Sequence, residues 1–207
     1  MRSRESGNRF RTLSNGVVKG GIYVISAPSG TGKTTIIKRI KELRPGIRFS
    51  ISAATRKPRG IEENGKDYYF ISREEFQKKI DAGEFVEWEE VFGNLYGTLK
   101  SELVDTVSKG EDVILEIDVK GALSVKAQFP EAILIFLMPP SFDELVARLT
   151  GRNTEGPEEL KRRISRAELE FSFSDKFDHR VVNNELDKCV AEVLELLEQP
   201  KTIGGNQ

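Results

Sequence analysis

Cysteine, histidine and tryptophan occur once each in this 207-residue chain. The lone thiol, Cys189, excludes an intrachain disulfide framework and any multi-cysteine metal site, and it points to a reducing compartment, with the cytoplasm as the default. Excess charge is missing too: 32 Lys and Arg stand against 33 Asp and Glu, a formal net of −1. That balance excludes a chain that coats nucleic acid or an anionic membrane with its whole surface, but not a small site built from a few cations. Long apolar runs are absent. The longest, residues 132–138, is far too short to span a membrane. No apolar core near the N-terminus suggests a secretory signal. Arg2, Arg4, Arg9 and Arg11 stand there against Glu5 without an amphipathic pattern, which reads as a flexible basic tail over 1–19 rather than an organelle-targeting segment. Residues 201–207 read as a second flexible tail.

What is present is an alternation of strands and helices. Residues 22–25 (IYVI) form an apolar run of buried-strand length. Ile36, Ile37, Ile40 and Leu43 then recur at helical spacing until Arg44-Pro45-Gly46 ends the helix. From about residue 48 to 98, short alternating segments (49–52, 68–71, 85–88) are separated by turn signals. A short helix among them is capped by Ser72 with Glu75. The rhythm resumes with strands at 113–118 and 133–138 and a helix capped by Ser141 with Glu144. A loop at 151–156, a helix opened by Pro157, a strand at 180–183 and a final amphipathic helix follow. The prediction is an α/β fold of three layers: a mainly parallel core sheet (20–52, 99–140, 172–200) covered on both faces, with a strand-rich insertion at 53–98. Trp88 and the phenylalanines read as core, Cys189 as a small residue beside the last helix's apolar face, and His179 as a loop or strand-edge residue.

Ala27-Pro28-Ser29-Gly30-Thr31-Gly32-Lys33-Thr34 fits a phosphate loop, with Ala27 where a first glycine is usual. Gly30 and Gly32 let the backbone turn its N–H groups toward phosphate oxygens, and the helix that follows adds its dipole. Lys33 reaches the outer phosphates and the Thr34 hydroxyl suits Mg²⁺. The loop alone does not choose among motors, GTPases and small-molecule kinases. A guanine-reading Asn-Lys-x-Asp stretch is absent, and the chain is short for a motor.

Thr55-Arg56-Lys57-Pro58-Arg59 sets two arginines three apart around a stiffening proline, which suits one phosphate group. Tyr68 and Tyr96 can add hydroxyls, and Ser52, Glu87 and Thr98 bring hydrogen-bonding groups into the same block. Glu116 and Asp118 alternate on one predicted strand and so face the same way. Two buried acids there are costly unless they bind something, the alternative being that one caps the next turn.

These stretches, with 26–35 (SAPSGTGKTT), 49–59 (FSISAATRKPR), 64–70 (NGKDYYF), 85–88 (FVEW), 93–98 (GNLYGT), 114–121 (ILEIDVKG), 138–141 (MPPS) and 181–183 (VVN), make the chain resemble the guanylate kinases over roughly residues 20–198. The resemblance implies a P-loop kinase fold in which 53–98 is a GMP-binding subdomain and 141–171 a lid. It implies Mg²⁺-assisted transfer of phosphate from ATP to GMP or dGMP, directly and in line. Residues 27–34 would hold ATP, and Asn183 would contact adenine or cap the last helix. Glu87 would accept from guanine N1–H and the 2-amino group while Ser52 and Thr98 donate to O6. Arg56, Arg59, Tyr68 and Tyr96 would hold the GMP phosphate. Glu116 is expected near the guanine amino group, and Asp118, with Thr34, near Mg²⁺ or its hydration shell. Lys33 and the lid arginines Arg148, Arg163 and Arg152 would neutralise the transferring phosphoryl group, Arg148 and Arg152 sharing one helix face if that helix persists. Partners would be these small molecules, with no nucleic acid and no membrane, in a monomer or simple homo-oligomer. Two rival readings are opposed by residues: a non-catalytic binding module by the intact Gly-Lys-Thr loop, and a kinase for another acceptor by Ser52, Glu87 and Thr98 together.

Overall fold

The computed structural model describes residues 20–91, 93–151 and 156–198. The expected tails at 1–19 and 201–207 and the arginine at 152 lie outside the described residues. Strand β1 (Ile22–Ser26) is buried along its whole length and sits at the centre of a five-stranded sheet. Its neighbours are β7 (Val113–Glu116) and β8 (Ile133–Met138), with the short β2 (Arg48–Phe49) and β9 (His179–Val182) outside them, and every pairing is parallel. Alternation along β1 sends Tyr23 and Ile25 to one face and Ile22 and Val24 to the other, so both faces need cover. Helices α1 (Lys33–Leu43) and α7 (Leu186–Glu198) cover the first face through Ile36, Ile40, Val190, Val193 and Leu197. Helices α3 (Lys100–Ser108) and α4 (Val119–Gln128) cover the second through Leu103, Ala122 and Val125. The result is a three-layer α/β fold.

The chain after β1 passes to the α1 face, while the chain after β7 passes to the α4 face. Adjacent parallel strands whose connections diverge leave a crevice at their carboxyl ends. In this crevice Glu116 lies in register with Ile25, one residue before the glycine-rich loop begins to leave the sheet.

A second sheet, in the order β4-β3-β6-β5, is built from β3 (Ala53–Ala54), β4 (Tyr69–Phe70), β5 (Phe85–Val91) and β6 (Asn94–Leu99). Its own small core joins Ala53, Phe85 and Leu95 to Phe76 of α2 (Arg73–Asp81). The Ser72 cap is present, its Oγ accepting from the Glu75 N–H at 3.1 Å. Helices α5 (Phe142–Thr150) and α6 (Pro157–Phe171) pack on each other through Leu145, Leu149 and Ala167. Among the described residues no helix is long and apolar enough to cross a membrane.

Two expectations are corrected. Strand β7 ends at Glu116 and Asp118 is the N-cap of α4, its Oδ1 accepting the Gly121 N–H at 2.7 Å, so the two acids do not share a strand face. Trp88 is 47% exposed rather than core, because period-2 alternation on β5 turns Glu87 inward and Trp88 out. Helix α5 ends at Thr150, and the expectation that Arg148 shares a helix face with the arginine at 152 lies outside the described residues.

Candidate functional site

The loop between β1 and α1 has Gly30 and Gly32 at φ of +92° and +94°, the left-handed region open to glycine. Gly32 is also the N-cap of α1, and no side chain caps that helix, which leaves its first-turn N–H groups for an anion. Two contacts hold the loop in shape. Asn183, just past β9, donates from Nδ2 to the Thr31 carbonyl at 2.7 Å, and a Cβ at position 32 would lie 2.8 Å from that nitrogen. Leu145 and Leu149 of α5 pack against Gly30, where a Cβ would meet them at 3.0–3.2 Å. Asn183 is thus engaged with the loop backbone. Arg163 of α6 donates from Nη2 to Ser29 Oγ at 2.9 Å, which brings one expected lid arginine onto the loop. Arg148 instead pairs with Glu144 one turn earlier on α5.

Lys33 Nζ lies 3.6 Å from Glu116 Oε1 across the crevice. Thr34, in the first turn of α1, is exposed. Among the described residues no group of three or more His, Cys, Asp or Glu side chains forms a metal cage.

A wall of carboxylates stands beside this crevice. On β5, Glu87 and Glu89 share a face, and the register sets Glu87 opposite Thr98 of β6. Thr98 Oγ1 donates to Glu87 Oε1 at 2.6 Å, so its one hydroxyl proton goes to the carboxylate, whereas the sequence reading spent it on guanine O6. Burial pushes the Glu87 carboxyl above the usual range; the Thr98 hydrogen bond opposes this and the nearby Asp118 charge adds to it. Glu89 is pushed up to about 7, first by burial, then by the charge of Asp118 and a hydrogen bond shared with it. Gly121 fits between the acids: a Cβ there would lie 3.1 Å from Glu87 Oε2 and 3.3 Å from Asp118 Oδ1. A cavity of about 90 Å³ opens here, lined by Glu87, Glu89, Asp118 and Gly121 among others. Arg166 of α6 sits 3.9 Å from both Glu89 Oε1 and Asp118 Oδ2 and donates to Glu170 at 2.9 Å.

The second sheet also collects Arg56, Tyr68 and Tyr96. The tyrosine rings are 6.1 Å apart, and the Arg56 guanidinium lies 4.8 Å from the Tyr68 ring centroid. Glu62 closes the group by taking both terminal nitrogens of Arg56, which raises the arginine pKa further and holds the Glu62 carboxyl down at about 2. Arg59 is exposed, and its backbone N–H donates to Glu62 at 2.8 Å. Ser52 leads into this sheet, its carbonyl accepting the Tyr69 N–H at 2.9 Å.

The sequence reading missed Glu62, Glu89 and Arg166. Glu89 was legible in principle, two residues after Glu87 on one strand. Glu62 sits in an irregular loop and Arg166 on a charged helix, and neither carried a periodic signal.

Comparison with known proteins gives one consistent answer. A family model described as guanylate kinase matches residues 19–200. The guanylate kinase of Fusobacterium nucleatum is 45% identical over 179 residues, covering 86% of this chain and 96% of that protein. That of Chlorobaculum tepidum is 46% identical over 187 residues, covering 88% and 96%. The crystal structure of guanylate kinase from Anaplasma phagocytophilum superposes with a TM-score of 0.71 at 33% identity, over 90% of this chain and 89% of that one.

Proposed function

The chain belongs to the guanylate kinase family, an ATP-dependent GMP kinase in its activity, and on that footing we propose how its residues carry out the transfer. One observation carries the reading. The short stretch from Glu116 to Gly121 touches both halves of the site, Glu116 beside Lys33 of the glycine-rich loop and Asp118 and Gly121 beside Glu87. Two ligands bound in these halves are therefore neighbours.

ATP phosphates lie against the backbone of residues 27–34 and the uncapped start of α1, with Lys33 on the outer phosphates. Guanine presents N1–H and its 2-amino group to Glu87, and Ser52 donates to O6. Asp118, beside Glu87 and Glu89, belongs with this base-reading wall, and Glu116, beside Lys33, belongs with the phosphates, the reverse of the assignment that the family resemblance suggested. Adenine lacks the 2-amino donor and inverts the pattern at its edge, so AMP would leave buried polar groups unpaired. Arg56 and Arg59, with the Tyr68 and Tyr96 hydroxyls, hold the GMP phosphate. The contacts concern base and phosphate alone, so dGMP serves as GMP does.

An oxygen of the GMP phosphate then attacks the γ-phosphorus in line. The new P–O bond forms as the bond to ADP breaks, and no covalent enzyme intermediate arises. A phosphate acceptor is already anionic and needs no general base, which leaves His179 outside the chemistry. Lys33, Arg148 and Arg163 neutralise the charge that moves, and positioning supplies most of the remainder. The Thr34 hydroxyl and the Glu116 carboxylate are hard oxygen donors, and so small a set fits Mg²⁺ that keeps water and phosphate oxygens as its other ligands. Bound there, the ion would offset phosphate charge.

A coupled assay of ADP formation with GMP, dGMP, AMP and CMP tests the reading. ADP should form only with the first two, and equal turnover with AMP or CMP would overturn the guanine assignment.

A further inference from the structure

The phosphate-holding group contains a carboxylate that the reaction as described does not use. Glu62 lies in the loop between β3 and β4, six residues after Arg56. Arg56 Nη1 donates to Glu62 Oε2 at 2.5 Å and Nη2 donates to Oε1 at 2.8 Å. The same Oε2 accepts the Arg59 backbone N–H at 2.8 Å, and Arg56 Nη1 also donates to the Lys57 carbonyl at 3.0 Å. The guanidinium lies against the Tyr68 and Phe70 rings, 4.8 and 5.4 Å from their centroids, and the Arg56 side chain is 8% exposed.

Counting donors shows what this arrangement leaves. A guanidinium has five N–H groups, two on each Nη and one on Nε. Glu62 and the Lys57 carbonyl take both on Nη1 and one on Nη2. The other two, on Nε and Nη2, lie side by side along the adjacent edge, and the guanidinium also meets the Tyr96 and Tyr68 hydroxyls, which the same phosphate would use. That edge matches two oxygens of a phosphate as well as the occupied one matches a carboxylate. An internal competitor would have to fill the edge that the phosphate uses, whereas Glu62 fills the other.

Resting on the reading that Arg56 and Arg59 hold the GMP phosphate, we propose that Glu62 is a positioning residue for that phosphate. It pins Arg56 so that its Nε–Nη2 edge is presented, and through the Arg59 N–H it fixes where the second arginine leaves the chain. The rotamer freedom of a long cationic side chain is thereby given up on folding, before GMP arrives, and is not charged against binding. Glu62 also cancels one of the two cations, so the site attracts its ligand through fixed geometry more than through surplus charge.

The test is steady-state kinetics of Glu62→Gln, Glu62→Asp and Arg56→Lys, with thermal melting of each to check folding. Glu62→Gln should raise the KM for GMP about tenfold while kcat and the KM for ATP stay within about twofold, because only the acceptor's placement is disturbed. Glu62→Asp, which keeps the charge on a shorter arm, should recover part of the loss. Where Arg56→Lys raises the KM for GMP and Glu62→Gln leaves it unchanged, the positioning role falls and the phosphate reading stands. A KM for GMP that drops in Glu62→Gln also overturns the role, in favour of a competing anion. If Arg56→Lys itself leaves the KM unchanged, the phosphate reading fails and the inference fails with it. Should Glu62→Gln not fold, Glu62→Asp decides alone: a raised KM for GMP beside an unchanged KM for ATP supports the role, and an unchanged KM for GMP overturns it.

Discussion

Replacing Glu87 by glutamine separates binding from stability, because the two should move in opposite directions. Glu87 is largely buried, with Oε1 accepting the Thr98 hydroxyl at 2.6 Å and Oε2 facing the position of Gly121. In Glu87→Gln the amide oxygen keeps the Thr98 hydrogen bond. The amide nitrogen then meets guanine with donors against donors. Hydrogen bonds to a charged group contribute about 1.5–3 kcal/mol each, so losing even one should raise the KM for GMP roughly 10- to 150-fold. The KM for ATP should hold. Stability goes the other way. Burial raises the Glu87 carboxyl pKa in the folded protein, so the folded state holds that proton more tightly than the unfolded chain does. The wild type must then lose stability as pH climbs from the ordinary carboxylate range through the raised value, after which the loss stays constant. Glutamine suffers no such loss. Glu87→Gln should melt above the wild type at pH 7–8, and the gap should close as pH falls below about 4, where the carboxyl is protonated in both states. The assays are GMP-dependent ADP formation and melting curves from pH 4 to 8. A near-normal KM for GMP would remove Glu87 from the base site, and a variant that melts lower at pH 8 would refute the burial argument.

Three other outcomes are expected. Gly32→Ala sets a Cβ on a residue at φ +94° and 2.8 Å from Asn183 Nδ2, and should cut kcat/KM for ATP on the order of 100-fold, read by kinetics and ATP titration. Asn183→Ala loses the 2.7 Å hydrogen bond to the Thr31 carbonyl; at about 1 kcal/mol this raises the KM for ATP about fivefold and leaves the KM for GMP in place. Leu134→Ala, at a fully buried position in β8, should cost about 2–5 kcal/mol in urea unfolding, lowering the midpoint without changing the slope.

Legibility in the sequence followed element length and period. β1 and β8 carry five and six residues of nearly unbroken apolar character, and α7 repeats its apolar face over thirteen, so each announces itself. The glycine-rich loop was equally plain, since its spacing serves backbone geometry and little else. By contrast β2, β3 and β4 have two residues each, fewer than alternation needs to show. Helices α3 and α4 escaped for another reason. α3 buries only Leu103 fully, and α4 carries Gly121 in its first turn with a weakly apolar face, so each is a helix held by the sheet beneath it. Glu116 and Asp118 are parted by where β7 ends: the strand stops at Glu116 and Asp118 caps α4, so the alternation expected over 113–118 does not reach the second acid.

The pairing of the acids explains why a site for two polyanions occurs in a chain of net charge −1. Lys33 stands beside Glu116, Arg56 beside Glu62, Arg148 beside Glu144 and Arg166 beside Glu170. Several of these pairs are partly exposed, where an ion pair contributes little to stability. Their value is positional. Cations converging on one cleft without partners would repel one another and keep their side chains mobile, and both costs would fall on the ligand. With a carboxylate on each of these four, their charge is offset before substrates enter and their side chains are already oriented. On the proposed assignment, the two ends of the site divide the work of holding phosphate. The ATP end relies on backbone N–H groups, whose placement depends on two left-handed glycines and the Asn183 brace. The GMP end relies on side chains, whose placement depends on Glu62. Loss of either brace should therefore impair one substrate and spare the other, a separation that a shared, diffusely basic cleft would not produce.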